Sequence, residues 1–334
     1  MDIRRAIGIS DGHPSGAQNA KEVIETPPLL ESQNPKMIAL LETVKRAAVA
    51  DTTILLTGES GTGKDVLARQ IHRWSRRCEG PFVVINCTTL PEQLLENDLF
   101  GHVRGAFTGA VNDKRGRLEA SHDGTVFFDE IAEIPVSLQT KFLRFIQERS
   151  FERIGSSHTI SVNARLLAAS KRNLEAEVAA GRFREDLYYR LNVITVALPP
   201  LRERPDDILC LAKWILREAS LAGHCPELTI SPEAAEVLLC YRWPGNLREL
   251  HNVLERAVTL TRTQTIGIDD LPDPVRNSAS GVLAASAHGT RLKDFEREHI
   301  LRTMAESSTL EQAAATLGIN VTTLWRKRRY YGIQ

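Results

Sequence analysis

The chain has 334 residues, 42% of them apolar, enough for about two packed domains at roughly 150 residues each. Basic and acidic residues both number 42, so overall charge gives no sign of a nucleic-acid or membrane partner. The five cysteines (Cys78, Cys87, Cys210, Cys225 and Cys240) are widely spaced with no CxxC pair, which argues against a disulfide framework or zinc site and for a reducing cytosol. No apolar run nears the ~18 residues needed to span a bilayer, and the N-terminus lacks a signal-peptide apolar core. A cytoplasmic protein is expected.

Residues 1–26 mix scattered glycines with polar and charged residues, and read as an N-terminal linker or tail ahead of Pro27-Pro28. Such a segment is too short for a receiver domain of ordinary size. Either the chain is naturally receiverless, or a receiver has been lost or removed. Next come five short apolar runs: "TILLTG" (53–58), "FVVINC" (82–87), "TVFFDE" (125–130), "ARLLAAS" (164–170) and "VITVAL" (193–198). They are continuously apolar, as expected of strands buried on both faces of a parallel sheet. Helically spaced stretches such as 65–77 and 137–149 separate them, so residues 27–200 read as an α/β unit with a five-stranded parallel sheet. After Pro199-Pro200 the pattern is helical only, with Ser231-Pro232-Glu233 as a helix start. Residues 201–272 thus form a small helical subdomain, 273–290 a flexible linker and 291–334 a compact all-α module.

"GESGTGKD" follows the first strand and precedes a helix. Gly58, Gly61 and Gly63, with Glu59, Ser60 and Thr62 between them, let backbone N–H groups converge on phosphate oxygens, and Lys64 can reach the β- and γ-phosphates. Asp65 stands where Ser or Thr normally ligates Mg²⁺; it could hold the ion through water or leave it to Asp129. Asp129 closes "TVFFDE" at the mouth of the sheet as an Mg²⁺ ligand, and Glu130 is placed as general base for water. Hydrolysis also needs positive charge at the γ-phosphate. Arg182, Arg184 and Arg190 precede the last strand, though on spacing alone they are as readily ordinary surface arginines.

Between the second and third strands lies "HVRGAFTGAVNDK" (102–114). Phe107 is the one large apolar side chain among Gly105, Ala106, Thr108, Gly109 and Ala110, without the periodic frame of a core residue. Gly105 and Gly109 give the backbone freedom of a moving loop.

The end of the chain reads as a helix-turn-helix. Ala313, Ala314 and Leu317 form a small apolar face, Gly318 can end that helix in the left-handed conformation, and Asn320 can cap the next. Thr322, Thr323 and Arg326 fall on its early, groove-facing part, while Lys327, Arg328 and Arg329 supply phosphate contacts. Leu324 and either Trp325 or Tyr330 are expected to pack inward. In the preceding helix, Leu292, Phe295, His299-Ile300 and Met304 suggest a dimer face, and a two-fold dimer would read palindromic double-stranded DNA.

The motifs stand in a familiar order. "GESGTGKD", "LFGHVRGAFTGA", "GTVFFDEI", "FREDLYYRLNV", "LPPLRERPDDI" and "WPGNLREL" across about 29–272 resemble the AAA+ domain of sigma-54-dependent transcription activators, the NtrC-type bacterial enhancer-binding proteins. The GAFTGA hexapeptide is close to diagnostic of that family. The C-terminal module resembles the family's Fis-type helix-turn-helix, and the two parts together look most like those of response regulators such as the alginate-biosynthesis activators. The resemblance implies an AAA+ P-loop NTPase fold with a helical lid, ATP and Mg²⁺ as cofactors, and a hexameric ring. It implies enhancer DNA and the sigma-54 RNA polymerase holoenzyme as partners. It implies that residues 105–110 touch sigma-54, chiefly through Phe107 and Thr108, and that Asn86 is a switch restraining Glu130. Arg184 and Arg190 match arginine fingers acting on the neighbouring subunit, and Arg248 matches a sensor in the lid. The other sensor position reads Ser170-Lys171 where the family usually has Thr-Asn or Thr-His; Ser170 can replace the Thr hydroxyl, and Lys171 brings a positive charge in place of an amide. "HDGT" (122–125) likewise replaces a usual Gly-Gly-Thr. Two other functions compete with a sigma-54 activator: a generic AAA+ loader or unfoldase, opposed by the 105–110 loop and the helix-turn-helix, and a passive repressor, opposed by the intact Lys64, Asp129 and Glu130.

Overall fold

Side chains alternate between the two faces of a strand, so a five-residue apolar run must find two covers. The computed structural model, which describes residues 32–88, 90–223, 228–261, 263–278, 292–306 and 309–331, provides both. The expected tail, 1–26, lies outside the described residues. In chain order the strands are β1 (Ile54–Thr57), β2 (Phe82–Asn86), β3 (Gly101–His102), β4 (Lys114–Arg115), β5 (Thr125–Asp129), β6 (Ser150–Glu152), β7 (Thr159–Ser161), β8 (Arg165–Ser170), β9 (Ile194–Ala197), β10 (Thr229–Ile230) and β11 (Thr265–Ile266).

The five expected strands lie side by side as β2-β5-β8-β1-β9, all parallel. Leu55, Val126, Phe128, Leu166 and Ala168 face one way, into a core completed by helices Glu92–Phe100, Val136–Glu148 and Glu185–Leu191. Ile54, Leu56, Phe127, Leu167 and Ala169 face the other way, against helices Pro35–Val49 and Lys64–Arg73. Within this sheet only β8 is buried along its whole length; the edge strand β9 exposes alternate residues. The buried Arg165 donates to the carbonyls of Ala47 and Ala48, satisfying the end of the first of these helices.

Three features depart from the sequence reading. The hairpins β3–β4 and β6–β7 branch off the sheet, each strand too short to show periodicity. The subdomain after Pro200 is not wholly helical, because β10 and β11 pair in parallel beside helices Pro205–Gly223, Pro232–Cys240 and Asn246–Leu260. Ser231 does cap the second of those helices, accepting from the Ala234 amide. The expected linker begins as a helix, Asp273–Ser278, and 279–291 lie outside the described residues.

The chain divides into two compact units, residues 1–271 and 272–334. In the second, helices Leu292–Glu306, Leu310–Thr316 and Val321–Tyr331 close over Ile300, Ala313, Ala314 and Leu324. Gly318 makes the turn at φ +64°. Ile300 and Met304 serve this internal core rather than the expected dimer face, and the side chains of Leu292 and Phe295 lie outside the described residues. Among the described residues no helix is long and apolar enough to cross a membrane.

Between helix Lys64–Arg73 and β5, the buried His72 places Nδ1 2.9 Å from the Thr125 hydroxyl. Burial lowers its pKa from the ordinary 6.5, so the neutral ring is the folded form. Its contribution to stability is complete above that value and is lost as pH falls below it. Urea titrations at pH 7.5 and 5.5 should show the first unit weaker at the lower pH, with a smaller difference in His72→Gln.

Candidate functional site

The sheet delivers β1 and β5 to the same edge, and the phosphate loop leaves β1 there. Gly63, at φ +95°, lets helix Lys64–Arg73 start directly after the loop. The Gly58 amide bonds the Ser170 carbonyl at 3.3 Å, and Thr62 Oγ1 bonds the Glu59 carbonyl at 2.9 Å. Lys64 is buried, with Nζ 2.8 and 3.0 Å from the carbonyls of Gly58 and Glu59. Burial lowers its pKa, while Glu130, Asp129 and Asp65 pull the other way. Burial, together with the charges of Glu130 and Asp65, raises the carboxyl pKa of Asp129. A crowded carboxylate of that kind suits a divalent cation. Among the described residues there is no cluster of three His, Cys, Asp or Glu that would cage a metal unaided. One or two carboxylates completed by phosphate oxygens is the usual arrangement for Mg²⁺.

Glu130 follows β5 with φ +53°, a left-handed conformation unusual for glutamate. Its Oε2 accepts from the Lys171 amide at 3.2 Å. Asn86 lies level with Asp129 in the β2–β5 ladder, and its Oδ1 accepts from the Thr88 amide and hydroxyl at 2.9 and 2.6 Å. The Ser170 hydroxyl is buried and closes a turn with Arg172, donating to its carbonyl at 2.7 Å. Lys171 places its ammonium 3.7 Å from Glu133. Arg184 and Arg190 sit at opposite ends of helix Glu185–Leu191, both exposed; Arg184 is paired with Asp186 at 2.7 Å.

The strongest construction at the site involves residues that sequence reasoning did not single out. The fully buried Asn246 starts the lid helix with φ +52°. Its Oδ1 accepts from the Leu201 amide at 2.7 Å, and its Nδ2 donates to Ser60 O at 3.0 Å and Glu59 Oε2 at 3.2 Å. Leu247 N donates to Gly61 O at 2.9 Å. A Cβ on Gly61 would meet the Gly245 carbonyl at 2.3 Å, so this contact requires glycine. Arg202 grips Glu59 with both ends of its guanidinium, at 2.7 and 2.6 Å, and the buried Arg204 bonds Thr62 O at 3.2 Å. Arg202 and Asn246 lower the Glu59 pKa to about 2, so the clamp is complete above the ordinary 4.5 and loosens only as pH falls toward 2. Arg248 joins it through Ser60 Oγ at 2.9 Å. The signals were present in "LPPLRERP" and "WPGNLREL", but nothing in either segment says that it folds onto the phosphate loop.

Residues 103–113 form the tip of the β3–β4 hairpin. Its root is anchored by Val103 N to Ile154 O at 3.1 Å and Arg104 N to Asp113 Oδ1 at 2.7 Å. Gly105 and Gly109 have φ of +81° and +101°, with open space where a side chain would stand. Phe107 is 45% exposed and touches only the edge of the His102 ring, at 4.9 Å, among aromatic neighbours. Ala110 is buried, so the outward part of the hexapeptide is Gly105–Gly109.

In the C-terminal unit the helix Val321–Tyr331 turns Thr322, Trp325, Arg326 and Arg329 outward. Two expected DNA contacts are otherwise engaged. Thr323 donates its amide and hydroxyl to Asn320 Oδ1, both at 2.7 Å, and Lys327 pairs with Glu296 of the first helix. Trp325 and Tyr330 do not pack inward, at 55% and 65% exposed; Leu324 and Tyr331 occupy the core side because they lie two turns apart. Arg328 is half-buried.

Comparison with known proteins accounts for nearly the whole chain. Residues 30–197 match the sigma-54 interaction domain, 202–287 the AAA+ ATPase lid domain, and 291–331 the bacterial regulatory protein, Fis family. The alginate biosynthesis transcriptional regulatory protein AlgB of Pseudomonas aeruginosa is 48% identical over 304 residues, covering 91% of this chain and 68% of that protein. The regulatory protein AtoC of Escherichia coli is 43% identical over 310 residues, covering 90% of this chain and 67% of that protein. Among solved structures, NtrX from Brucella abortus in complex with ATP superposes with a TM-score of 0.68 at 32% identity, covering 90% of this chain and 69% of that one.

Asn246→Ala removes three hydrogen bonds and leaves a left-handed alanine, so it should lower the unfolding free energy by about 3 kcal/mol. Asn246→Gly relieves the backbone part and should be about 1 kcal/mol less harmful. Denaturant titration of the two variants separates the terms.

Proposed function

The chain belongs to the family of sigma-54-dependent transcriptional activators, with an AAA+ domain and a Fis-type helix-turn-helix, and from that premise we propose that it works as a ring. In this reading ATP hydrolysis by the ring converts the closed sigma-54 RNA polymerase complex on DNA into the open one. The observation that carries the reading is one α/β unit holding both a buried lysine beside three acidic residues and an outward Phe107 on an anchored hairpin.

Lys64 now satisfies its charge on its own loop's carbonyls, and would exchange them for β- and γ-phosphate oxygens. Mg²⁺ at Asp129, with Asp65 acting through water, would neutralise phosphate charge. Glu130 takes a proton from water once its carboxylate leaves the Lys171 amide, and Asn86 and the Ser170-Lys171 turn are the elements placed to govern that release. Arg184 and Arg190, exposed on one short helix, suit fingers that complete a neighbouring subunit's site. Arg248, already on Ser60, ties the lid to the nucleotide state. The hairpin tip then delivers the movement to sigma-54 through Phe107 and Thr108. The C-terminal unit dimerises and holds the protein on palindromic enhancer DNA in the bacterial cytoplasm.

Lys64→Ala should lose ATP binding, whereas Glu130→Gln should bind ATP without turnover, measured by nucleotide titration and phosphate release. Phe107→Ala and Thr108→Ala should keep hydrolysis and lose sigma-54 engagement in a pull-down. The deciding experiment is promoter melting with sigma-54 holoenzyme, in ATP and in a non-hydrolysable analogue. Melting without hydrolysis, or with a polymerase carrying only a sigma-70-type factor, would refute the reading.

A further inference from the structure

We propose that Trp325 is a base-reading residue that recognises thymine through its C5-methyl group, an assignment that rests on the DNA-binding reading of the C-terminal unit. Trp325 is 55% exposed in the middle of helix Val321–Tyr331, turned away from the face on which Leu324 and Tyr331 complete the unit's core. A large flat apolar group in that position has no packing task. The surrounding face is mostly polar and basic: Thr322 and Arg329 lie three and four residues from Trp325, with the exposed Val321 also four away and Arg326 next to it in sequence, and residues 320–331 contain no acidic side chain. Such a face complements a polyanion rather than an ordinary protein surface. The Arg329 guanidinium stands over the indole, 5.7 Å from its centroid, so a cation–π contact holds the ring in place on the helix.

Among the four bases, only thymine offers an apolar group in the major groove. The other outward side chains on this face divide the work accordingly. Arg326 and Arg329 carry charge for phosphates or guanine, Thr322 carries a hydroxyl, and Trp325 supplies the apolar contact. Thr323 and Lys327, held by Asn320 and Glu296, leave Trp325 nearer the centre of the reading surface than a count of basic residues suggests.

The test uses the full chain. Duplexes preferred by the wild-type protein are selected from a random-sequence library, and each thymine in them is replaced in turn by deoxyuridine, which lacks the methyl. Loss of one buried methyl contact should weaken wild-type binding about fourfold at one thymine per half-site. Trp325→Ala should bind the unmodified duplex about fourfold more weakly and not distinguish the two bases there, while Trp325→Phe keeps the distinction. The salt dependence of Trp325→Ala should match wild type, whereas Arg329→Ala should show a slope shallower by about one. A wild-type protein indifferent to every deoxyuridine, or a Trp325→Ala variant that still discriminates, would overturn the assignment. Altered sedimentation of Trp325→Ala with discrimination intact would instead place Trp325 at a protein contact. If the wild type enriches no sequence at all, the DNA-reading function fails and this assignment fails with it.

Discussion

A single seam governs the first unit: the lid backbone lies directly on the phosphate loop. Leu247 bonds Gly61, Asn246 bonds Ser60 and Glu59, and no side chain fits between Gly61 and Gly245. Such contact is possible only because Asn246 accepts a left-handed backbone and buries its amide where three partners converge. Arg202 and Arg204 then draw the segment after β9 into the same seam. A change at the phosphates therefore meets the lid through hydrogen bonds, without intervening mobile side chains.

Electrostatics at the mouth of the sheet follow from that closeness. Lys64 and Asp129 both suffer burial, and each is pushed toward its neutral form. Asp65 and Glu130 help the lysine and burden the aspartate. The asymmetry leaves an acidic pocket with one cation already committed to backbone carbonyls, an arrangement that gains from a bound phosphate chain and its metal. Glu130, the strongest charge acting on Lys64, also accepts from the Lys171 amide.

Among the exposed aromatic side chains of the described residues are Phe107 and Trp325, one in each unit. Both are held by a neighbour rather than buried, Phe107 by the edge of His102 and Trp325 by the Arg329 guanidinium. Exposing such rings costs apolar area that the folded chain could otherwise hide. Under the proposed function these are the points where the protein meets its two macromolecular partners.

Much of this was legible from local pattern. Continuous apolar runs specify strands covered on both sides, the glycine-lysine run specifies a strand-to-helix loop, and an isolated phenylalanine between glycines specifies an outward tip, because each depends on residues adjacent in the chain. The helix Val321–Tyr331 is legible in the sequence, but which aromatic packs inward is not, since the choice among Trp325, Tyr330 and Tyr331 depends on where the first helix packs. The short strand pair β10–β11 and the clamp of Arg202, Arg204 and Asn246 escaped notice for the same reason. Asn246 and Glu59 are 187 positions apart, and no local periodicity records that they touch. Sequence alone determined the elements and the chemistry of the loop. Tertiary structure decided which distant side chains close around it, because hydrogen bonds between remote segments exist only once two packed subdomains have met.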